Sequence, residues 1–212
     1  MYILSKVLIA VGILAAVIYT VYLIVRPKTE NYLFVAILDG AVEQGISDDW
    51  RLAYEEAIGL DTKKYETRFD ATLYISSASD MDSGQRLSAY VFAREVDVMI
   101  IPEPTFQKMA TGYSKTLEEQ LPEDLLAQVR DRICYVAVED KDSENGEPKV
   151  CAYGIDVTDL IPANPLEVEA GIRMIACICG NTRHEENAVE FIRYLLNQEG
   201  AGKIPDNLNV NP

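Results

Sequence analysis

The stretch that most restricts how this chain can fold is Val96-Asp97-Val98-Met99-Ile100-Ile101, closed by Pro102-Glu103-Pro104. Apolar residues fall on both parities of a short run, leaving no wet face. That pattern describes a strand covered on both sides, as in a sheet with helices above and below it. Helix-like spacing precedes and follows the run, so it reads as the inner strand of βαβ units. The fold class is therefore α/β, with a mixed, mostly parallel sheet flanked by helices. In open sheets of this class ligands bind just past the carboxyl ends of the strands, which here means Pro102 and Glu103.

The neighbouring segments fit that frame. Asn31–Leu38 is a second apolar run, ended by the turn signal Asp39-Gly40. Ser47 is a favourable helix N-cap with Asp48 and Asp49 after it, and Trp50, Ala53, Tyr54, Ala57 and Ile58 follow at helical spacing. Trp50 reads as a core anchor. Phe69, Ala71, Leu73 and Ile75 alternate with polar residues, which predicts a strand near an edge. Further helices carry Leu87, Tyr90 and Val91; Phe106, Met109 and Ala110 after Pro104; and Leu125, Leu126 and Val129 after Pro122. Ile133–Val138 and Lys149–Ile155 read as a hairpin around the polar loop Glu139–Pro148. A strand over Ile172–Cys179 ends at Gly180-Asn181. Thr182 and Glu185 have capping-box spacing for a last helix bearing Ala188, Phe191, Ile192, Leu195 and Leu196.

The amino-terminal region is separate. From Ile3 to Val25 the only charge is Lys6, and about 20 apolar residues suffice to cross a bilayer. A secretory signal has a shorter apolar core and a small-residue cleavage site after it, so residues 3–25 read as a retained single-pass membrane anchor. The predicted organisation is an anchor with short flanks over 1–28, an α/β domain over 29–203 and an irregular tail over 204–212. Lys6 on one side and Arg26 and Lys28 on the other leave the charge rule for orientation near a tie.

Three segments carry a family likeness: Val96–Ala110 (VDVMIIPEPTFQKMA), Tyr153–Asp159 (YGIDVTD) and Cys179–Asn197 (CGNTRHEENAVEFIRYLLN). They resemble the strand–helix unit, the hinge-region strand and the C-terminal strand, loop and helix of bacterial extracellular solute-binding proteins of the type II periplasmic-binding fold. The resemblance implies an extracytoplasmic body at the bacterial cell membrane, able to bind a small ligand and to work beside a membrane transporter or another envelope protein. Too few residues separate the halves for a full second lobe, so the second lobe would be reduced.

Asp39, Gly40, Pro102, Glu103, Asp156 and Asn181 each end or follow a predicted strand. Gathered at one rim, their three carboxylates would suit a small polar or cationic ligand; taken singly, they are ordinary turn residues. Cys134, Cys151, Cys177 and Cys179 lack C-x-x-C spacing, which argues against zinc. Folding the hairpin about residues 142–143 sets Cys134 opposite Cys151, leaving a cross-strand disulfide or buried free thiols as the alternatives. His184 is the only histidine and is expected to be exposed at the start of the last helix. With one histidine and no G-x-S-x-G, Walker or dinucleotide motif, no catalytic residues, metal ligands or cofactor are expected, and the chain is read as a non-enzyme. Asp and Glu number 34 against 19 Lys and Arg, a net charge of −15. That field repels phosphate backbones, so nucleic acid is not expected as a partner. The alternative to a ligand-binding module is an interaction protein of the envelope with no cleft, docked to another membrane protein.

Overall fold

The computed structural model describes residues 12–20, 29–76, 81–139 and 148–197. Residues 12–20 form a helix (α1) whose side chains, Ile13, Leu14, Val17 and Ile18 among them, are all exposed. Then come β1 (Glu30–Leu38), α2 (Gln44–Ala57), β2 (Tyr65–Leu73), α3 (Met81–Phe92), β3 (Val98–Pro102) and α4 (Glu103–Tyr113). The short helices α5 (Leu117–Gln120) and α6 (Glu123–Gln128) and a 3-10 turn at Arg130–Arg132 lead to β4 (Ile133–Val138) and β5 (Lys149–Asp156). After α7 (Pro165–Glu169) the chain returns as β6 (Met174–Ile178) and closes with α8 (Glu185–Asn197).

The six strands form one sheet in the order β2-β1-β3-β6-β5-β4. Alternation along β1 sorts the core. Leu33, Val35 and Ile37 face the layer of α2, α5, α6 and α8, while Phe34, Ala36 and Leu38 face α3 and α4. Each residue of β3 is fully buried, as its apolar run requires. On the first face Trp50 packs edge-on to Phe69 at 5.0 Å between ring centroids, and Phe191 meets Tyr54 at 5.2 Å. Such edge-to-face pairs add about 0.5–1.5 kcal/mol each beyond their buried area. On the second face, Phe106 of α4 lies against Gly154 in β5. A Cβ there would stand 2.8 Å from the Phe106 ring and 2.4 Å from Ile175 Cγ2, so only glycine lets the helix settle on the sheet.

Several expectations are corrected. The sheet is mixed rather than mostly parallel: β1 pairs parallel with β2 and β3, but β3–β6, β6–β5 and β5–β4 are all antiparallel. One sheet accounts for every strand among the described residues, and no second lobe stands over it. Helix α2 starts at Gln44, so Ser47 is buried inside the first turn and gives its hydroxyl to the Gln44 carbonyl at 2.7 Å instead of capping. Cys134 lies opposite Gly154 and Cys151 opposite Val136, because the strand pairing is centred one residue later than the expected fold point at 142–143; the four thiols are free. Thr182 does not form a capping box with Glu185; its hydroxyl serves the His184 N–H and Asp97. Most of the predicted span 3–25 and all of the tail 204–212 lie outside the described residues. Among those described, no helix is long and apolar enough to cross a membrane.

Candidate functional site

The directions of the strands decide which of the sequence's candidate residues meet. Strands β1, β2, β3 and β5 finish on one edge of the sheet, where β6 and β4 begin. That rim gathers Asp39, Gly40, Pro102, Glu103 and Asp156. Asn181 is the exception. Because β6 runs antiparallel to β3, with Val98 opposite Ile178, the residues after β6 emerge at the far edge.

Asp39 stands at the topological switch point, since the chain leaving β1 goes first to β2 on one side and then to β3 on the other. Its backbone is left-handed (φ 50°), which Asp tolerates better than most residues. That turn aims the carboxylate across the crevice. Oδ1 accepts from the backbone N–H groups of Ile75 (2.6 Å) and Ser76 (2.9 Å), and Oδ2 accepts from the Thr105 hydroxyl on α4 (2.7 Å). Gly40 follows at φ 73° and its carbonyl accepts from Asn164 Nδ2 at 3.1 Å. The space where a ligand enters comparable sheets is thus bridged by the protein's own side chain.

The other two carboxylates are also occupied. Arg173, the residue before β6, takes Glu103 in a two-pronged pair, with Nε 3.0 Å from Oε2, and reaches within 3.6 Å of Asp156 Oδ2. The Arg173 hydrogen bonds hold the Glu103 carboxyl below the usual carboxylate range. Asp156 Oδ1 accepts from the Thr158 N–H (3.1 Å) and hydroxyl (2.6 Å), and that hydroxyl accepts the Met174 N–H at 2.8 Å. Arg132 forks onto Asp159, with Nη2 2.9 Å from Oδ2, and lowers the Asp159 pKa. Pro102 serves as the residue before α4. Beside the rim an open hollow of about 440 Å³ is walled by Thr158, Asp159, Ile161, Pro162 and Val168.

Sequence reasoning missed Arg132 and Arg173, which reach the rim only because β4 and β6 run against their neighbours. The Thr158 contact did have a local signal. Asp-x-Thr recurs at Asp70–Thr72, where the carboxylate again accepts from the N–H (3.0 Å) and hydroxyl two residues on.

At the opposite edge a second polar set surrounds Asp97, the one charge in the central apolar run. Asp97 is fully buried. Its Oδ2 accepts the Phe34 N–H at 2.8 Å, and its Oδ1 faces the Thr182 hydroxyl and His184 Nδ1, the latter at 3.1 Å. Burial pushes the Asp97 carboxyl above its ordinary value, opposed by Thr182, the Phe34 N–H and His184. His184 is therefore not the exposed residue the sequence suggests. Asn181 ties the end of α3 to the sheet, giving Nδ2 to the Val91 carbonyl at 2.7 Å while its carbonyl receives Arg94 Nε at 2.9 Å.

No family model, no curated protein and no solved structure matches this chain.

Proposed function

We propose that this chain is a non-enzymatic docking module of the bacterial cell envelope, tethered by residues 3–25 with its α/β body outside the cytoplasm. Its work is contact with another membrane or envelope protein. The observation that carries this reading is the state of the switch-point crevice. Asp39 bridges it and accepts from three donors, while Glu103 is held by Arg173. A small solute would have to break those contacts: the Asp39 bonds are charge-assisted, about 1.5–3 kcal/mol each, and the solvent-screened Glu103–Arg173 pair adds about 0–1 kcal/mol. The resemblance to solute-binding proteins supplies the setting, and the exposed apolar side chains of residues 12–20 suit a segment that packs against something other than the body.

The test is photo-crosslinking of the full chain in its own membrane, with a photoreactive residue at Phe92 or Leu166, which are 90% and 74% exposed. A discrete adduct at one face and none at the other is expected. Adducts absent at every exposed position would refute docking. A cysteine added in the 139–148 loop and labelled from outside intact cells checks sidedness; labelling only after lysis would place the body in the cytoplasm.

A second reading, capture of a small polar or cationic ligand at the rim, is favoured by the meeting of Asp39, Gly40, Pro102, Glu103 and Asp156 on one edge. It predicts a rise in thermal stability of the full chain with a sugar, amino acid, peptide, polyamine or divalent ion. A screen of those classes that shifts nothing would remove it.

A further inference from the structure

The far edge of the sheet carries a groove that the rim does not explain. It lies between α5 with the Leu121-Pro122 step and the first turn of α8, and measures about 620 Å³. Its walls are Glu119, Gln120, Leu121, Pro122, Glu185, Glu186 and Val189. Among the described residues no cation pairs with Glu119, Glu185 or Glu186. Arg193, further along α8, is already engaged by Asp124 at 2.7 Å. Exposed glutamates alone would be a solvated face.

Gln120 makes the difference. It is 6% exposed, donates Nε2 to the Cys179 carbonyl at 3.5 Å, and leaves Oε1 buried with no partner. A buried carbonyl without a donor costs about 1–3 kcal/mol, and a donor arriving through the groove would recover that loss. Gln120 is itself one of the residues that wall the groove, and the last torsion of a glutamine side chain is soft. Apart from the Gln120 Nε2 already given to Cys179, the polar side-chain groups on these walls are acceptors: two carboxylates on the α8 side, and one carboxylate and one carbonyl on the α5 side. Leu121, Pro122 and Val189 add an apolar strip.

A matching ligand has only donors at its head and methylenes behind them. Lysine offers three donors at a point. Arginine offers five in a planar fork, able to reach acceptors on two walls at once. Among the described residues no three His, Cys, Asp or Glu groups gather closely enough to hold a metal ion, which favours an organic cation. We propose that this groove receives an arginine side chain from an extended segment of the docking partner. The inference rests on the docking reading above and names the chemistry of the partner.

The test uses the full chain and a fluorescein-labelled Gly-Ser-Gly-Arg-Gly-Ser-Gly peptide, read by anisotropy. Saturable binding is expected, weaker with Lys in place of Arg and lost with citrulline, which keeps the shape without the charge. The E119Q/E185Q/E186Q variant should weaken binding by roughly tenfold or more, the loss of at least one charge-assisted hydrogen bond. Q120M should weaken it severalfold without altering its salt dependence. The control E43Q/D48N/D49N removes the same charge elsewhere and should leave affinity within about twofold. Equal losses in the two triple variants would show a general field effect and overturn the groove, as would equal binding of the citrulline peptide. If the peptide binds but no crosslinked adduct forms in the membrane, the groove stands and the docking reading fails. If an adduct forms undiminished in the E119Q/E185Q/E186Q chain, the docking reading stands and the groove fails.

Discussion

Replacing Asp97 tests how the sheet tolerates a charge at its centre. Its carboxylate is fully buried and accepts the N–H of Phe34, itself 2% exposed. In Asp97→Ala that N–H loses its acceptor where water cannot replace it, costing about 1–3 kcal/mol. The Thr182 hydroxyl and His184 ring lie nearer solvent and can turn to water, so they add less. Removing a buried charge returns part of its desolvation penalty. We expect a net loss of about 1–3 kcal/mol, a sizeable share of the roughly 5–15 kcal/mol that holds a domain together. Asp97→Asn keeps an acceptor for Phe34 and presents an NH₂ to Thr182 and His184, so at neutral pH its loss should stay near 1 kcal/mol or below. The pH dependence separates the two roles. Burial raises the folded carboxyl above its ordinary value of 3.8, so the folded chain binds more protons than the unfolded one just above that pH. The contribution of Asp97 to stability therefore falls as pH rises from 3.8 through the raised value, then levels off. The Asn variant lacks this fall, so its stability relative to the parent should climb over the same window. Urea unfolding of the full chain in detergent reads this directly, because the single tryptophan, Trp50, lies in the core at 8% exposure. Loss below about 0.5 kcal/mol in Asp97→Ala, or a flat Asn-minus-parent difference across that window, would refute the reasoning.

Gly154→Ala should destabilise by about 1–3 kcal/mol through overpacking against Phe106 and Ile175, both fully buried; an unchanged urea midpoint would mean that α4 yields. Arg173→Ala should return the Glu103 carboxyl toward its ordinary 4.5. The stability that this pair supplies is present above 4.5 and lost as pH falls, and an NMR titration of Glu103 that does not move would contradict the pairing. Burial pushes the Cys177 thiol up to about 12 and Cys134 to about 11, so near neutral pH in native conditions the half-buried Cys151 should be labelled first. All four thiols should react after unfolding, and rapid native labelling of Cys177 would show that the sheet opens.

What the residues determine by themselves is local. The alternation of Phe69, Ala71 and Leu73, the helical spacing of Ala188, Phe191, Ile192 and Leu195, and the unbroken apolar run of β3 each specify an element because side-chain period follows backbone geometry. Cys177 and Cys179, two apart on the chain, do share a face of the sheet, as that period requires. The turn residues Asp39 and Gly40 were legible for the same reason: their left-handed backbone suits Asp and Gly.

Direction and partnership are another matter, because nothing in the run Met174–Ile178 says which way it enters the sheet. Its buried residues fit either orientation, and contacts from distant β3 and β5 choose between them. That choice carried Asn181 to the far edge and brought Arg173 to the rim, turning Glu103 and Asp156 from open carboxylates into paired ones. A strand pairing centred one residue later than the local turn pattern suggests likewise set Cys151 opposite Val136 instead of Cys134. The local pattern could propose where strands end; only the packed sheet decides which ends meet, because the hydrogen bonds that align them join residues far apart in the chain.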